Sequence, residues 1–136
     1  MDLAQIDTTK AANEGAVLEL LGPDEAPLVD ENGAPVTITL LGKDSEVFNR
    51  ETNARANRVL NQRGRQKITV EASRAEGVRL LAKCTVAWAG IKVRGEFLDC
   101  TYENALKLYT EFAFIREQVD AFIGDRSNFT KASSTS

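Results

Sequence analysis

The sequence predicts an α+β fold: an N-terminal β hairpin followed by a mainly helical C-terminal part, with a short extended segment near residues 91–98. Three observations predict it. Val36-Thr37-Ile38-Thr39-Leu40 alternates β-branched residues, which suit a pleated, half-buried surface. The apolar run Ala16-Val17-Leu18-Glu19-Leu20-Leu21 stops at Gly22-Pro23 and reads as the partner strand. Beyond residue 44, apolar residues recur at helical spacing in four stretches.

Taken in order, residues 1–12 carry little periodicity and are expected to fray. Asp30-Glu31-Asn32-Gly33 is turn chemistry, because Asn-Gly tolerates positive φ. Pro23, Pro27 and Pro35 sit in the same connection, where a missing N–H costs little. Asp44 or Ser45 can cap a helix over about 46–62, since its side-chain oxygen can accept a free N–H of the first turn. Phe48, Thr52, Ala56, Val59 and Leu60 fall on one side of that helix, with Arg50, Arg58 and Arg63 away from it and Arg55 at its edge. Gly64 ends it.

A second helix is expected over about 70–88, with Val70, Ala75, Val78, Leu81, Ala82, Thr85 and Trp88 in its stripe. Gly77 weakens it by about 1 kcal/mol relative to alanine. Trp88 then stands at a helix end as a core anchor. Gly90 and Gly95 bracket the alternating piece Ile91-Lys92-Val93-Arg94, and Trp88 and Phe97 flank the Gly90 turn, where they can close the C-terminal core. Thr101 is a good N-cap for a helix over 102–111. A last helix over 114–123 turns Ile115, Val119, Phe122 and Ile123 inward, with Gly124 as C-cap. Residues 1–129 make a single domain, and 130–136 form a polar tail expected to be disordered.

Composition narrows the function. The chain has 136 residues, 43% hydrophobic and 27% charged, which suits one soluble globular domain. Histidine is absent, which removes His-based general bases, Ser-His or Cys-His nucleophiles and His-containing zinc sites. Cys84 and Cys100 form no CxxC pair, so zinc is not expected; they read as two small buried hydrophobes or as a disulfide. The acid pairs Asp24/Glu25 and Asp30/Glu31 sit in a Pro/Gly-rich loop, where acids are normally just solvated. No Gly-rich phosphate-cradling motif is present. The residues therefore point to a binding or assembly protein with no catalytic residue, metal or cofactor. No apolar run approaches the ~18 residues of a membrane span. Met1-Asp2-Leu3-Ala4-Gln5 has neither the basic nor the apolar region of a signal peptide.

Charge is unevenly spread. The net is -8 over residues 1–49, +6 over 50–83 and -1 over 84–136. Either an acidic β region packs near basic helices, or a basic face built from Arg50, Arg55, Arg58, Arg63 and Arg65 receives an acidic partner protein. That stretch has no interleaved aromatics for base stacking, and the overall charge is -3, so nucleic acid is not the expected partner.

From Leu81 onward the chain resembles the tail assembly chaperones of long-tailed bacteriophages, over about 50 residues. The residues are Leu81-Ala82, Trp88-Ala89-Gly90-Ile91, Gly95-Glu96-Phe97, Tyr102-Glu103-Asn104-Ala105 after Thr101, Leu108-Tyr109, Ile115-Arg116-Glu117-Gln118-Val119 and Asp125-Arg126-Ser127-Asn128-Phe129. Upstream, Leu41-Gly42-Lys43-Asp44-Ser45 is similar to the family's Gly-x-Asp-Ser junction. Order and spacing carry the resemblance, which fades before residue 36. Asp44, Trp88, Gly90, Thr101, Asn104, Gln118 and Phe129 are its core and cap positions; Gln118 is placed to satisfy strand backbone and Phe129 to fold over the last helix. The resemblance implies a chaperone in the host cell cytoplasm. It would bind the tape measure protein and help recruit tail tube protein, with no membrane or nucleic acid partner and as a monomer or homo-oligomer. The other reading is a virion structural protein of the tail, neck or capsid surface.

Overall fold

The computed structural model describes residues 1–61 and 69–130; Arg63, Gly64, Arg65 and the tail at 131–136 lie outside them. The fold is mixed α/β. Strands β1 (Ala16–Glu19), β2 (Thr37–Leu40) and β3 (Thr85–Ala89) form an antiparallel sheet in the order β1-β2-β3. Period-2 alternation sends Ile38 and Leu40 of β2 inward, where both are fully buried, while Thr37 and Thr39 face the other way. Leu18, Ile38 and Trp88 lie opposite one another across the three strands.

The sheet is thus not a self-contained N-terminal hairpin, because its third strand comes from the second half of the chain. The expected helix over 70–88 is also shorter. Helix α3 spans Val70–Lys83, and Thr85-Val86-Ala87-Trp88 extends as strand. Helical spacing alone misassigned these residues. Their β-branched and aromatic side chains suit the pleat, and central β2 offers a second edge to pair with. The Thr85 hydroxyl donates to the Leu81 carbonyl (2.8 Å), and the Leu41 N–H donates to the Cys84 carbonyl (2.8 Å), which joins the helix end to the sheet. Trp88 therefore sits within a strand, and its Nε1–H donates to the Leu98 carbonyl (2.8 Å).

Helices α4 (Tyr102–Glu111) and α5 (Ala113–Gly124) complete the main core with α3. Leu20, Ile38, Leu40, Leu81, Leu108, Tyr109, Val119 and Ile123 are among its most buried members. Each such aliphatic side chain contributes about 1.5–3 kcal/mol by leaving water. Thr101 caps α4 as expected, its hydroxyl accepting the Asn104 N–H (3.1 Å). Gly124 is not a C-cap but the last residue of α5; Asp125 follows as cap.

Helix α2 (Glu46–Asn61) starts at Ser45, which is fully buried and accepts the Phe48 N–H (3.2 Å). Its apolar stripe is only partly used. Phe48 and Thr52 are half-buried, but Ala56, Val59 and Leu60 are exposed, because only Val47 and Phe48 in the first turn reach the main core. In α3, Val78, Leu81 and Ala82 are buried, whereas Val70 and Ala75 are exposed.

Where residues 1–12 were expected to fray, the chain forms a 3-10 turn (Leu3–Ile6) and helix α1 (Thr9–Glu14). Ala11 and Ala12 are buried beside Ala16 and Phe129 in a second, smaller core. That order comes from a contact with the far end of the chain, so no local periodicity announces it. The segment near 91–98 forms a small hairpin of β4 (Lys92–Val93) and β5 (Glu96–Phe97), turning through positive φ at Arg94 and Gly95. Phe97 is 68% exposed and does not close the core with Trp88. Both cysteines are free; Cys84 is buried, and burial pushes its thiol up to about 12.

Two glycines predict opposite effects. A Cβ at Gly42 would lie 2.8 Å from the Phe129 ring, whereas one at Gly77 in α3 meets nothing within 4 Å. Gly42→Ala is expected to lower stability by about 1–3 kcal/mol. Gly77→Ala is expected to raise it by about 0.5–1 kcal/mol. Urea midpoints at unchanged m-value check both.

Candidate functional site

The two most distant segments of the resemblance meet in space. Arg126 clasps Asp44 with two parallel bonds, Nε to Oδ2 (2.7 Å) and Nη2 to Oδ1 (3.0 Å), across 82 residues of sequence. Thr8 donates its hydroxyl to the same carboxylate. Beside it, the Lys43 N–H donates to the Ile123 carbonyl (3.2 Å) and the Gly42 N–H to the Ala12 carbonyl (3.1 Å). Phe129, 2% exposed, lies over Gly42 and edge-on to Phe122 of α5 (5.5 Å between centroids). The Arg126 guanidinium, helped by Thr8, holds the Asp44 carboxyl below its ordinary value. These contacts form a clasp between segments far apart in the chain.

The other pattern residues are spread through the fold. Gln118 accepts the Leu21 N–H (2.8 Å) and donates to the Leu21 carbonyl (2.7 Å), so its amide closes the chain just past β1. Asn104 donates to the Asp99 carbonyl (2.9 Å) ahead of α4. Gly90 turns at φ 79, with Val36 so close that a Cβ would lie 3.2 Å from it.

The basic face is partly occupied from within. Arg55 pairs with Glu76 of α3 (2.8 Å) and donates to the Ser73 hydroxyl (3.3 Å), and Arg58 approaches the same Glu76 (3.5 Å). Arg50 is exposed. Arg55 and Arg58 flank a groove of about 260 Å³ shared with Glu51, Arg79 and Tyr102. One carboxylate thus offsets two guanidiniums that the sequence presents as free charge.

An apolar concavity among the described residues was not foreseen. A cleft of about 390 Å³ lies between the loop over 20–36, the β4–β5 hairpin and the α4–α5 junction. Leu20, Leu28 and Val36 form one wall, Val93 and Phe97 a second, and Leu108, Phe112, Phe114 and Ile115 the third. Val29, 57% exposed, and Phe97 stand at its rim. Of the residues that carry the resemblance, Gly90, Ile91, Phe97, Leu108 and Ile115 line it. Two surface ion pairs brace the hairpin: Lys92 with Glu31 (2.8 Å) from the loop and Arg94 with Glu111 from α4. Lys92 also lies 5.1 Å over the Phe97 ring. Part of the polar rim is engaged within the chain, since Asp30 Oδ1 accepts the Asn32 and Ala34 N–H groups (2.8 and 2.9 Å). What the cleft offers is apolar contact. The signals for it were an exposed valine among turn residues and a phenylalanine on a two-residue strand; nothing local joined them.

Because the folded-state pKa of Asp44 lies below its ordinary 3.8, the ionised clasp stabilises the fold at neutral pH. That contribution is lost as the pH falls through the ordinary carboxylate range and past the folded value. Asp44→Asn is expected to cost about 1 kcal/mol at pH 7, after allowance for solvent screening, and progressively less on acidification. Urea melts from pH 7 to pH 3 check it, and a pH-independent difference contradicts it.

In comparisons with known proteins, no family model, no curated protein and no solved structure matches this chain.

Proposed function

We propose that the chain is a tail assembly chaperone of a long-tailed bacteriophage, acting in the host cell cytoplasm without catalysis. It binds the tape measure protein before the tail tube polymerises around it and helps recruit tail tube protein. The apolar cleft between the 20–36 loop and the β4–β5 hairpin is the observation that supports this reading, because it leaves apolar side chains such as Val29 and Phe97 open to a partner. The order and spacing of the motifs from Leu41 and from Leu81 support the family. A tape measure protein is a long amphipathic chain whose apolar stripe needs shielding. Many copies seated along it would gain avidity from weak single contacts. The recruiting extension would follow Phe129, whose burial anchors the exit from the fold.

A virion structural subunit is the second reading. It is favoured by the two sheet edges, β1 and β3, and by Val17 and Val86, which are about half exposed. Mass spectrometry of purified particles separates the two, since a chaperone is absent from them and a structural subunit is present in fixed copy number.

Co-expression of the chain with the tape measure protein is expected to yield a soluble complex; no rescue and no co-purification contradict the proposal. Arg55→Glu with Arg58→Glu is expected to weaken that complex and reduce its salt sensitivity. Unchanged binding would remove the basic face from the account.

A further inference from the structure

We infer that the apolar cleft seats the hydrophobic stripe of a basic amphipathic helix supplied by the partner. The inference rests on the proposed binding function and specifies the chemistry of what is bound.

The size and walls of the cleft set the first constraint. About 390 Å³ lined by aliphatic and aromatic side chains is space for a few apolar groups, with Val29 and Phe97 exposed at the rim to cover their flanks. The backbone sets the second. The Leu20 N–H donates to the Val36 carbonyl (2.9 Å), the Leu28 N–H to the Leu20 carbonyl (3.0 Å), and the Val36 N–H to the Leu28 carbonyl (2.9 Å). β4 and β5 pair with each other. The amides of the Leu20, Leu28 and Val36 wall are committed, so that wall offers side-chain surface and not a strand edge, which suits a helix in a groove rather than an added strand.

Charge sets the third. The loop over 20–36 carries Asp24, Glu25, Asp30 and Glu31, and no Lys or Arg stands between Lys10 and Lys43. Lys92 pairs with Glu31, while Asp24, Glu25 and Asp30 have no cation partner among the described residues. Asp24 stands beside the cleft wall: a Cβ at Gly22 would lie 3.0 Å from the Asp24 carboxylate and 3.2 Å from the Leu28 side chain. Lysines or arginines bordering an apolar stripe would meet Asp30 at the cleft and Asp24 beside it.

The test uses the full chain and three synthetic helical peptides, read by fluorescence anisotropy. One has leucines at i, i+3, i+4 and i+7 flanked by lysines; the second has glutamates for the lysines; the third has serines for the leucines. The lysine–leucine peptide is expected to bind at least tenfold more tightly than either other. Val29→Ser with Phe97→Ser, at two exposed positions the fold does not depend on, is expected to cost at least tenfold at an unchanged urea midpoint. Asp24→Asn with Glu25→Gln is expected to cost several-fold and flatten the salt dependence. Equal binding of the lysine and glutamate peptides overturns the inference, as does full binding by the Val29/Phe97 variant. So does finding that this variant changes only self-association, which would make the cleft a contact between copies. If that variant still solubilises the tape measure protein as well as the unaltered chain does, this inference fails and the chaperone reading stands. If the unaltered chain does not solubilise it, the chaperone reading fails.

Discussion

Five residues between β2 and α2 hold the fold together. Leu41 bonds to the start of β3 through Cys84, Gly42 to α1 through Ala12, and Lys43 to the end of α5 through Ile123. Asp44 takes Thr8 on one side and Arg126 on the other, and Ser45 caps α2 from a fully buried position. One short turn therefore fixes the N-terminal helix, the sheet, the last helix and the C-terminal exit relative to one another. The glycine is required sterically, because Phe129 occupies the space a side chain would need. The ion pair is largely solvent-facing and weak by itself, so its role is one of register: it selects where the C-terminal segment lands, and the burial of Phe129 supplies the stabilisation.

Much of the local structure was legible, because local signals have local causes. Thr101 before Tyr102 announced a capped helix, Ser45 was one of two candidate caps, and the alternation over 36–40 gave the central strand. Gln118 was placed beside strand backbone and does bond both polar groups of Leu21. The errors share one cause. Thr85 to Trp88 continue a helical spacing but contain residues that prefer a pleat, and only the open edge of β2 decides between the two. Ala11 and Ala12 looked like part of a fraying end because their cover, Phe129, is more than a hundred residues away. The cleft was invisible for the same reason: its walls come from three separate parts of the chain.

The division of labour within the molecule follows from this arrangement. Most residues of the family-like pattern build the clasp, the caps and the chain's closure at Leu21, and so specify the scaffold. The exposed side chains of Phe97 and Val29 and the loop acids contribute little to the core, although Val93 of the hairpin packs against it. An apolar surface kept in water is unfavourable for folding, and contiguous examples usually mark contact with another molecule. Here the Lys92–Glu31 and Arg94–Glu111 pairs brace the walls, while the cleft between them stays open.

Hydrogen–deuterium exchange on the chain alone and co-expressed with the proposed partner, a tape measure protein, tests the central claim most directly. The account predicts new protection centred on the 28–36 loop, the 91–98 hairpin and the start of α5, with a smaller change beside Arg55 and Arg58 of α2 and none around Asp44 and Arg126. Protection centred on α2 or on the outer face of the sheet, with the cleft unchanged, would contradict it.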